Sequence, residues 1–152
     1  MYNKVLVIGS PGSGKSALST HLSKYMSLPL YHLDQINWKD DNQTIEQDEL
    51  INEIKDILIQ QYWIIDGNYI DTLELRVSHA EVVIWLQEKR VTCIWRVLKR
   101  YFLHVICKQT IGKNPKTMSL AFLKFIWDFP KINDEQIKKL QRKYPEKLWI
   151  IK

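Results

Sequence analysis

Eight residues constrain this chain more than any others: G-S-P-G-S-G-K-S at positions 9 to 16, directly behind the apolar run Val5-Leu6-Val7-Ile8. In the pattern G-x-x-x-x-G-K-S the glycines let the backbone curl so that successive N–H groups can face one anion. The helix that follows adds its positive end. The loop is therefore expected to hold nucleotide phosphates through Gly9, Pro11, Gly12, Ser13, Gly14, Lys15, Ser16 and Ala17. The Lys15 ammonium should reach the β- and γ-phosphates as a catalytic charge, and the Ser16 hydroxyl should ligate Mg²⁺. ATP and Mg²⁺ are the cofactors this implies.

The surrounding pattern supplies the strand and helix that such a loop requires. Val5 to Ile8 reads as a strand buried on both faces, and Ala17 to Met26 as a helix. Residues 28–33 form a second strand candidate with Pro29 at its start, and Leu50, Ile51, Ile54, Ile57 and Leu58 mark a helix with one buried stripe. Tyr62 to Ile65, Glu81 to Leu86 and Leu148 to Ile151 read as further strands. Between the last two, Val91, Ile94, Trp95, Leu98, Phe102 and Val105 predict the buried face of a long helix from Arg90. The Gly112-Lys113-Asn114-Pro115 break follows. A helix then runs from Leu120 to Phe129, Pro130 is expected to end it, and a separate polar helix follows over Asn133 to Lys143. Alternating strands and helices imply an α/β fold with an open, mostly parallel sheet.

Composition narrows the class. At 152 residues the chain is expected to form one domain, 1–152, burying about 70% of its unfolded surface. Cys93 and Cys107 match no metal-ligand spacing and no secretory leader is recognised, so reduced thiols and a cytoplasmic location are expected. The apolar runs are too short to cross a membrane, and residues 102–107 are read as core. Net charge is +5, with Lys89, Arg90, Arg96, Lys99, Arg100, Lys108, Lys113 and Lys116 opposed in their segment only by Glu88. That segment calls for an anionic partner, either polyphosphate or nucleic acid.

Two carboxylates sit where the chemistry would need them. Asp66 closes the third strand, where it can hold Mg²⁺ directly or through water, and Gly67 beside it would allow close approach of substrate. Asp34 follows the second strand and could align an acceptor, accept a hydroxyl proton or help order Mg²⁺, whereas His32 reads as structural. Arg96 and Arg100, one helical turn apart, could neutralise charge on a transferring phosphoryl group. No N-K-x-D guanine-reading box occurs, since the single Asn-Lys pair, Asn3-Lys4, is followed by Val and Leu. Nucleic-acid motors are usually much longer. A small-molecule phosphotransferase, probed as an ATP- and Mg²⁺-dependent kinase, is the leading expectation. The alternatives are a nucleotide-binding regulator that contacts DNA and a slow ATPase. Against the DNA alternative, Trp95, Phe102, Phe122, Phe125 and Trp127 fall at helical spacing and are expected in the core.

The chain also resembles a known family, the adenylate-kinase-like P-loop proteins called DNA topology modulation proteins. The likeness rests on I-G-S-P-G-S-G-K-S at 8–16, L-P-L-Y-H-L-D at 28–34 with Trp38, W-I-I-D-G-N-Y at 63–69, L-E-L-R at 73–76 and W-R-V-L-K-R at 95–100. It implies a three-layer P-loop NTPase fold of the nucleoside-monophosphate-kinase kind, with five parallel strands in the order 2-3-1-4-5 and helices on both faces. It also implies an arginine-bearing helical lid, here over roughly residues 90–130. In the wider superfamily Asp-Gly at this strand end is often followed by Phe-Pro-Arg, whose arginine grips a monophosphate; here Asn68-Tyr69-Ile70 follows, and Arg76 is the candidate acceptor-binding substitute, with Asp34 and Gly67. Family members usually continue into a loop and helix bordering the adenine, whereas the sequence given ends at Lys152.

Overall fold

The structure is a computed structural model and describes residues 2–38, 43–107 and 119–152. The polar residues 39–42, the break at Gly112 to Pro115 and the basic residues Lys108, Lys113 and Lys116 lie outside the described residues, as does the Cys107 side chain. Five strands, β1 (Lys4–Gly9), β2 (Leu30–His32), β3 (Trp63–Asp66), β4 (Val82–Leu86) and β5 (Leu148–Ile151), form one parallel sheet in the order β2-β3-β1-β4-β5. This is the order that the family resemblance implies.

The alternating pleat of the central strands explains the layering. Leu6, Ile8, Trp63, Ile65, Val83 and Trp85 point to one face and pack beneath α3 (Gln47–Leu58) and α4 (Leu73–His79) and the second half of α6 (Leu120–Lys143). Val5, Val7, Ile64, Val82 and Ile84 point to the other and meet Leu18, Leu22 and Met26 of α1 (Lys15–Met26). Fully burying one such aliphatic side chain contributes about 1.5–3 kcal/mol, which is why these near-continuous apolar runs specify interior strands. Two elements have no clear signal in the sequence. They are the short helix α2 (Leu33–Asn37) and the 3₁₀ turn Ile70–Thr72 that leads into α4.

Two expectations about the helices are corrected. Pro130 does not end a helix: α6 continues through it from Leu120 to Lys143. Its buried residues Ile126, Phe129, Asn133, Ile137 and Leu140 keep a spacing of three and four across the proline, and the Asn133 amide donates to the Phe129 carbonyl at 2.9 Å. Burial of one continuous face thus outweighs the ~3 kcal/mol that an interior proline costs. Pro130→Ala, which restores the missing N–H, is expected to raise the free energy of unfolding by about 1–3 kcal/mol in urea denaturation.

The second correction concerns α5 (Arg90–Cys107), which buries only part of the apolar stripe read from the sequence: Ile94 packs on the buried cluster and Leu98 is half-buried, and the Val105 side chain lies outside the described residues. Cys93 and Val97 are buried against Ile126, while Val91, Trp95, Phe102 and Ile106 are exposed, Trp95 by 58% and Phe102 by 55%. Phe125 and Trp127 of α6 are exposed as well, and Phe122 is half-buried. The helix is turned by its seat on the phosphate loop. A Cβ on Gly12 would lie 2.5 Å from the Cys93 carbonyl oxygen, so backbone meets backbone there and the residues beside that contact must face inward.

Candidate active site

The loop between β1 and α1 takes its shape from left-handed backbone at Gly12 (φ +80°) and Gly14 (φ +96°). Its turn is closed by Ser13 N–H donating to the Ser10 carbonyl at 3.0 Å. The first N–H groups of α1, at Lys15, Ser16 and Ala17, have no partner within the helix by geometry and so remain available to an anion. Ser16 and Ala17 are exposed and Pro11 is half-buried. The Lys15 ammonium folds back over the loop and donates to the Ser10 carbonyl at 3.1 Å. Burial pulls its pKa below the usual lysine range and Arg100 adds to that, while Asp34, Asp66 and Cys93 oppose it.

The β1–β3 register pairs Val7 with Asp66, which brings the Asp66 carboxylate next to the root of the loop. Asp66 is buried. Its Oδ1 lies 2.8 Å from His32 Nδ1, and its Oδ2 has no hydrogen-bond partner among the described residues. The hydrogen bond that His32 makes to Asp66 is the main cause raising the His32 pKa, with burial opposing it. An ionised oxygen that is buried and unpartnered costs free energy unless something meets it. A Mg²⁺ ion, or a water bound to one, suits that oxygen. No group of three or more His, Cys, Asp or Glu side chains that could hold a metal ion by themselves occurs among the described residues. The ion would then draw its other ligands from Ser16, phosphate oxygens and water, a set that Mg²⁺ favours.

Asp34 stands exposed in the first turn of α2 and faces the same centre. Its charge acts on Lys15, His32 and Arg100, and its carboxylate hydrogen-bonds the Tyr69 hydroxyl, which also meets the Asn37 side chain. Burial and then the Asp34 charge push the Tyr69 pKa well above the ordinary phenol, so the hydroxyl keeps its proton. Arg100 is half-buried, and burial lowers its pKa while Asp34 raises it. Arg96 reaches the loop directly. Its Nη1 donates to the Ser13 carbonyl at 3.2 Å and the Gly12 carbonyl at 3.4 Å, and its Nη2 pairs with Glu88 at 3.1 Å. Arg90 and Lys99 face elsewhere, over the rings of Trp127 and Trp95.

Lys15, Asp34, Asp66, Arg96 and Arg100 are therefore brought together, and two acceptor-side candidates are not. Arg76 is fully buried, with its nitrogens turned to the protein's own carbonyls. Its Nη1 donates to the Gly67 carbonyl at 2.8 Å, its Nη2 to the Asn68 and Tyr69 carbonyls at 3.0 and 2.8 Å, and its Nε to Thr72 at 3.3 Å. Burial brings its pKa down to about 9, with Tyr69 opposing. Gly67 is also buried, and what its missing side chain accommodates is Leu33, since a Cβ there (φ +137°) would lie 2.8 Å from the Leu33 Cβ. Both residues are buried, and Arg76 shapes the 67–69 loop from behind.

That loop carries residues whose part the sequence did not disclose. Asn68 Oδ1 accepts from the Gly9 N–H at 3.0 Å and ties the end of β3 to the start of the phosphate loop. Tyr69 braces Asp34, and His32 braces Asp66. The only available signal was adjacency, because each lies within three residues of a carboxylate already singled out or occupies the place of the missing Phe-Pro-Arg.

Comparison of the coordinates with solved structures finds the same fold in P-loop kinases. Shikimate kinase from Acinetobacter baumannii in complex with shikimate superposes with a TM-score of 0.64 at 13% identity, covering 100% of this chain and 84% of that one. Shikimate kinase from Bacteroides thetaiotaomicron gives 0.62 at 13%, covering 99% and 85%. A gluconokinase from Sinorhizobium meliloti 1021 gives 0.52 at 14%, covering 98% and 82%. No family model and no curated protein sequence matches the chain. The fold is that of the P-loop kinases, and residues 9–16 run from the carboxyl end of β1 into α1. Among the described residues no helix is long and apolar enough to cross a membrane.

Proposed function

We propose that this chain is an ATP-dependent phosphotransferase that phosphorylates a hydroxyl of a small molecule bound beside Asp34. The observation that carries the reading is the convergence of Lys15, Asp34, Asp66 and Arg100 on one centre at the carboxyl ends of β1, β2 and β3, with Asp66 Oδ2 left unpartnered. The likeness to structures named as shikimate kinase and gluconokinase supports a small-molecule acceptor.

In this reading residues 9–17 and the Lys15 ammonium bind the donor phosphates, and Ser16 and Asp66 hold the metal. Mg²⁺, when bound, neutralises charge on the β- and γ-phosphates. Asp34 accepts the proton of the acceptor hydroxyl as its oxygen bonds to the γ-phosphorus, and the bond from that phosphorus to ADP breaks. Tyr69, which keeps its proton, holds Asp34 in place. Arg96 and Arg100 exchange their present partners for the transferring group, α5 and the first half of α6 serving as the lid of a single cytoplasmic domain. Catalysis is then mainly positioning and charge stabilisation.

A screen of nucleosides, nucleoside monophosphates and small metabolites for ATP-dependent phosphorylation tests the proposal. With the acceptor found, Asp34→Asn is expected to lower kcat by about 10²–10⁴-fold while ATP affinity holds. Phosphate delivered only to water would leave a slow ATPase instead. A DNA-contacting regulator has one observation in its favour, the exposed Trp95, Phe102, Phe125 and Trp127 interleaved with basic residues. Binding to plain duplex that falls steeply with salt would support it, and negligible binding at low salt would remove it.

A further inference from the structure

We infer that His32 is a positioning residue that fixes which oxygen of Asp66 is offered to the metal. The inference rests on the proposal that Asp66 is the metal carboxylate. The parallel register of β2 and β3 sets His32 directly opposite Asp66, so the two side chains rise from neighbouring strands on the same face of the sheet. Nδ1 lies 2.8 Å from Oδ1 in a largely enclosed pair, the side chains being 20% and 5% exposed. An ionised carboxylate can only accept, so Nδ1 carries the hydrogen of this bond.

The consequence lies in the oxygen left over. The terminal torsion of an aspartate is broad and roughly two-fold, so an untethered Asp66 could present either oxygen over a range of angles. With Oδ1 tied to His32, the carboxylate plane is held and Oδ2, buried and without a partner among the described residues, is the one that remains. Imidazole also suits the task chemically. The ring donates through Nδ1 in the tautomer that carries hydrogen there and in the doubly protonated form alike, so the tether to Oδ1 does not depend on the charge of His32. A donor of this kind behind a ligating carboxylate typically accounts for about 10–100-fold in metal affinity.

The test compares two amides at position 32. His32→Asn places its amide nitrogen near the position of Nδ1 and keeps the donor, while His32→Gln places it near Nε2 and loses the donor. Mn²⁺ is titrated into the full chain saturated with a non-hydrolysable ATP analogue, and bound metal is read by electron paramagnetic resonance. His32→Gln is expected to weaken Mn²⁺ binding by about 10–100-fold, with His32→Asn close to the native value. Nucleotide affinity in the presence of EDTA should be equal in all three proteins. Native-like Mn²⁺ affinity in His32→Gln, or equal weakening in both variants, would overturn the inference. Asp66→Asn separates the two levels. If it abolishes Mn²⁺ binding while His32→Gln does not, only the role of His32 fails; if it leaves binding unchanged, the assignment of Asp66 to the metal fails first.

Discussion

Lys15→Ala is expected to reduce ATP-dependent turnover by at least about 10³-fold while the protein stays folded. The Lys15 ammonium is the cation most enclosed by the site's own carboxylates, with Asp34 and Asp66 both acting to keep it charged against burial. Among the described residues its hydrogen-bond partner is one neutral carbonyl, that of Ser10, which a phosphate oxygen readily outcompetes. Its removal takes a positive charge from the place where negative charge accumulates and leaves two carboxylates facing the phosphates. The fold should tolerate the change because Lys15 lies at the first turn of α1, where alanine is a good helix former and no carbonyl of the helix depends on the lysine side chain. Single-turnover kinetics with circular dichroism as the folding control measures this. Turnover within a factor of ten of the native rate would remove Lys15 from catalysis.

Arg76→Met should act in the opposite way, on stability before chemistry. The side chain is fully buried and serves the carbonyls of Gly67, Asn68 and Tyr69 together with Thr72. Each buried carbonyl left without a donor costs about 1–3 kcal/mol. Relief from burying the cation offsets part of this, so a net loss of about 3–5 kcal/mol is expected in urea denaturation. That is a large share of the 5–15 kcal/mol typical of a domain. Arg76→Lys should recover only part of it, since one ammonium cannot span carbonyls that a planar guanidinium reaches with three nitrogens. A loss below about 0.5 kcal/mol would mean that the loop holds its shape without the arginine.

The contrast between Lys15 and Arg76 shows how far local pattern reaches. The phosphate loop is legible because its chemistry is contiguous, so that glycines, lysine and serine act within one turn of the backbone. Asp66 is legible for a similar reason, as a carboxylate at the end of an apolar strand. Arg76 looked like a substrate clamp because the sequence shows an arginine near the missing one, but it does not show which way the α4 helix turns. On α5 the same ambiguity had the larger effect. An apolar stripe and a basic stripe share the helix, and periodicity alone assigns the apolar one to the core.

By itself the sequence determined the strands, the phosphate loop and the two carboxylates that end β2 and β3. Each depends on residues adjacent in the chain or on an apolar run long enough to demand burial. Only the tertiary structure decided which groups meet. The register of β2, β3 and β1 sets His32 against Asp66 and Asp66 beside the loop. The close backbone contact of Gly12 with Cys93 turns Arg96 toward the 9–16 loop and Trp95 toward solvent. Packing of one continuous face carries α6 through Pro130. In each case burial and backbone contact between distant segments outweigh a local preference worth only a few kcal/mol, and such contacts have no signature in the chain until it is folded.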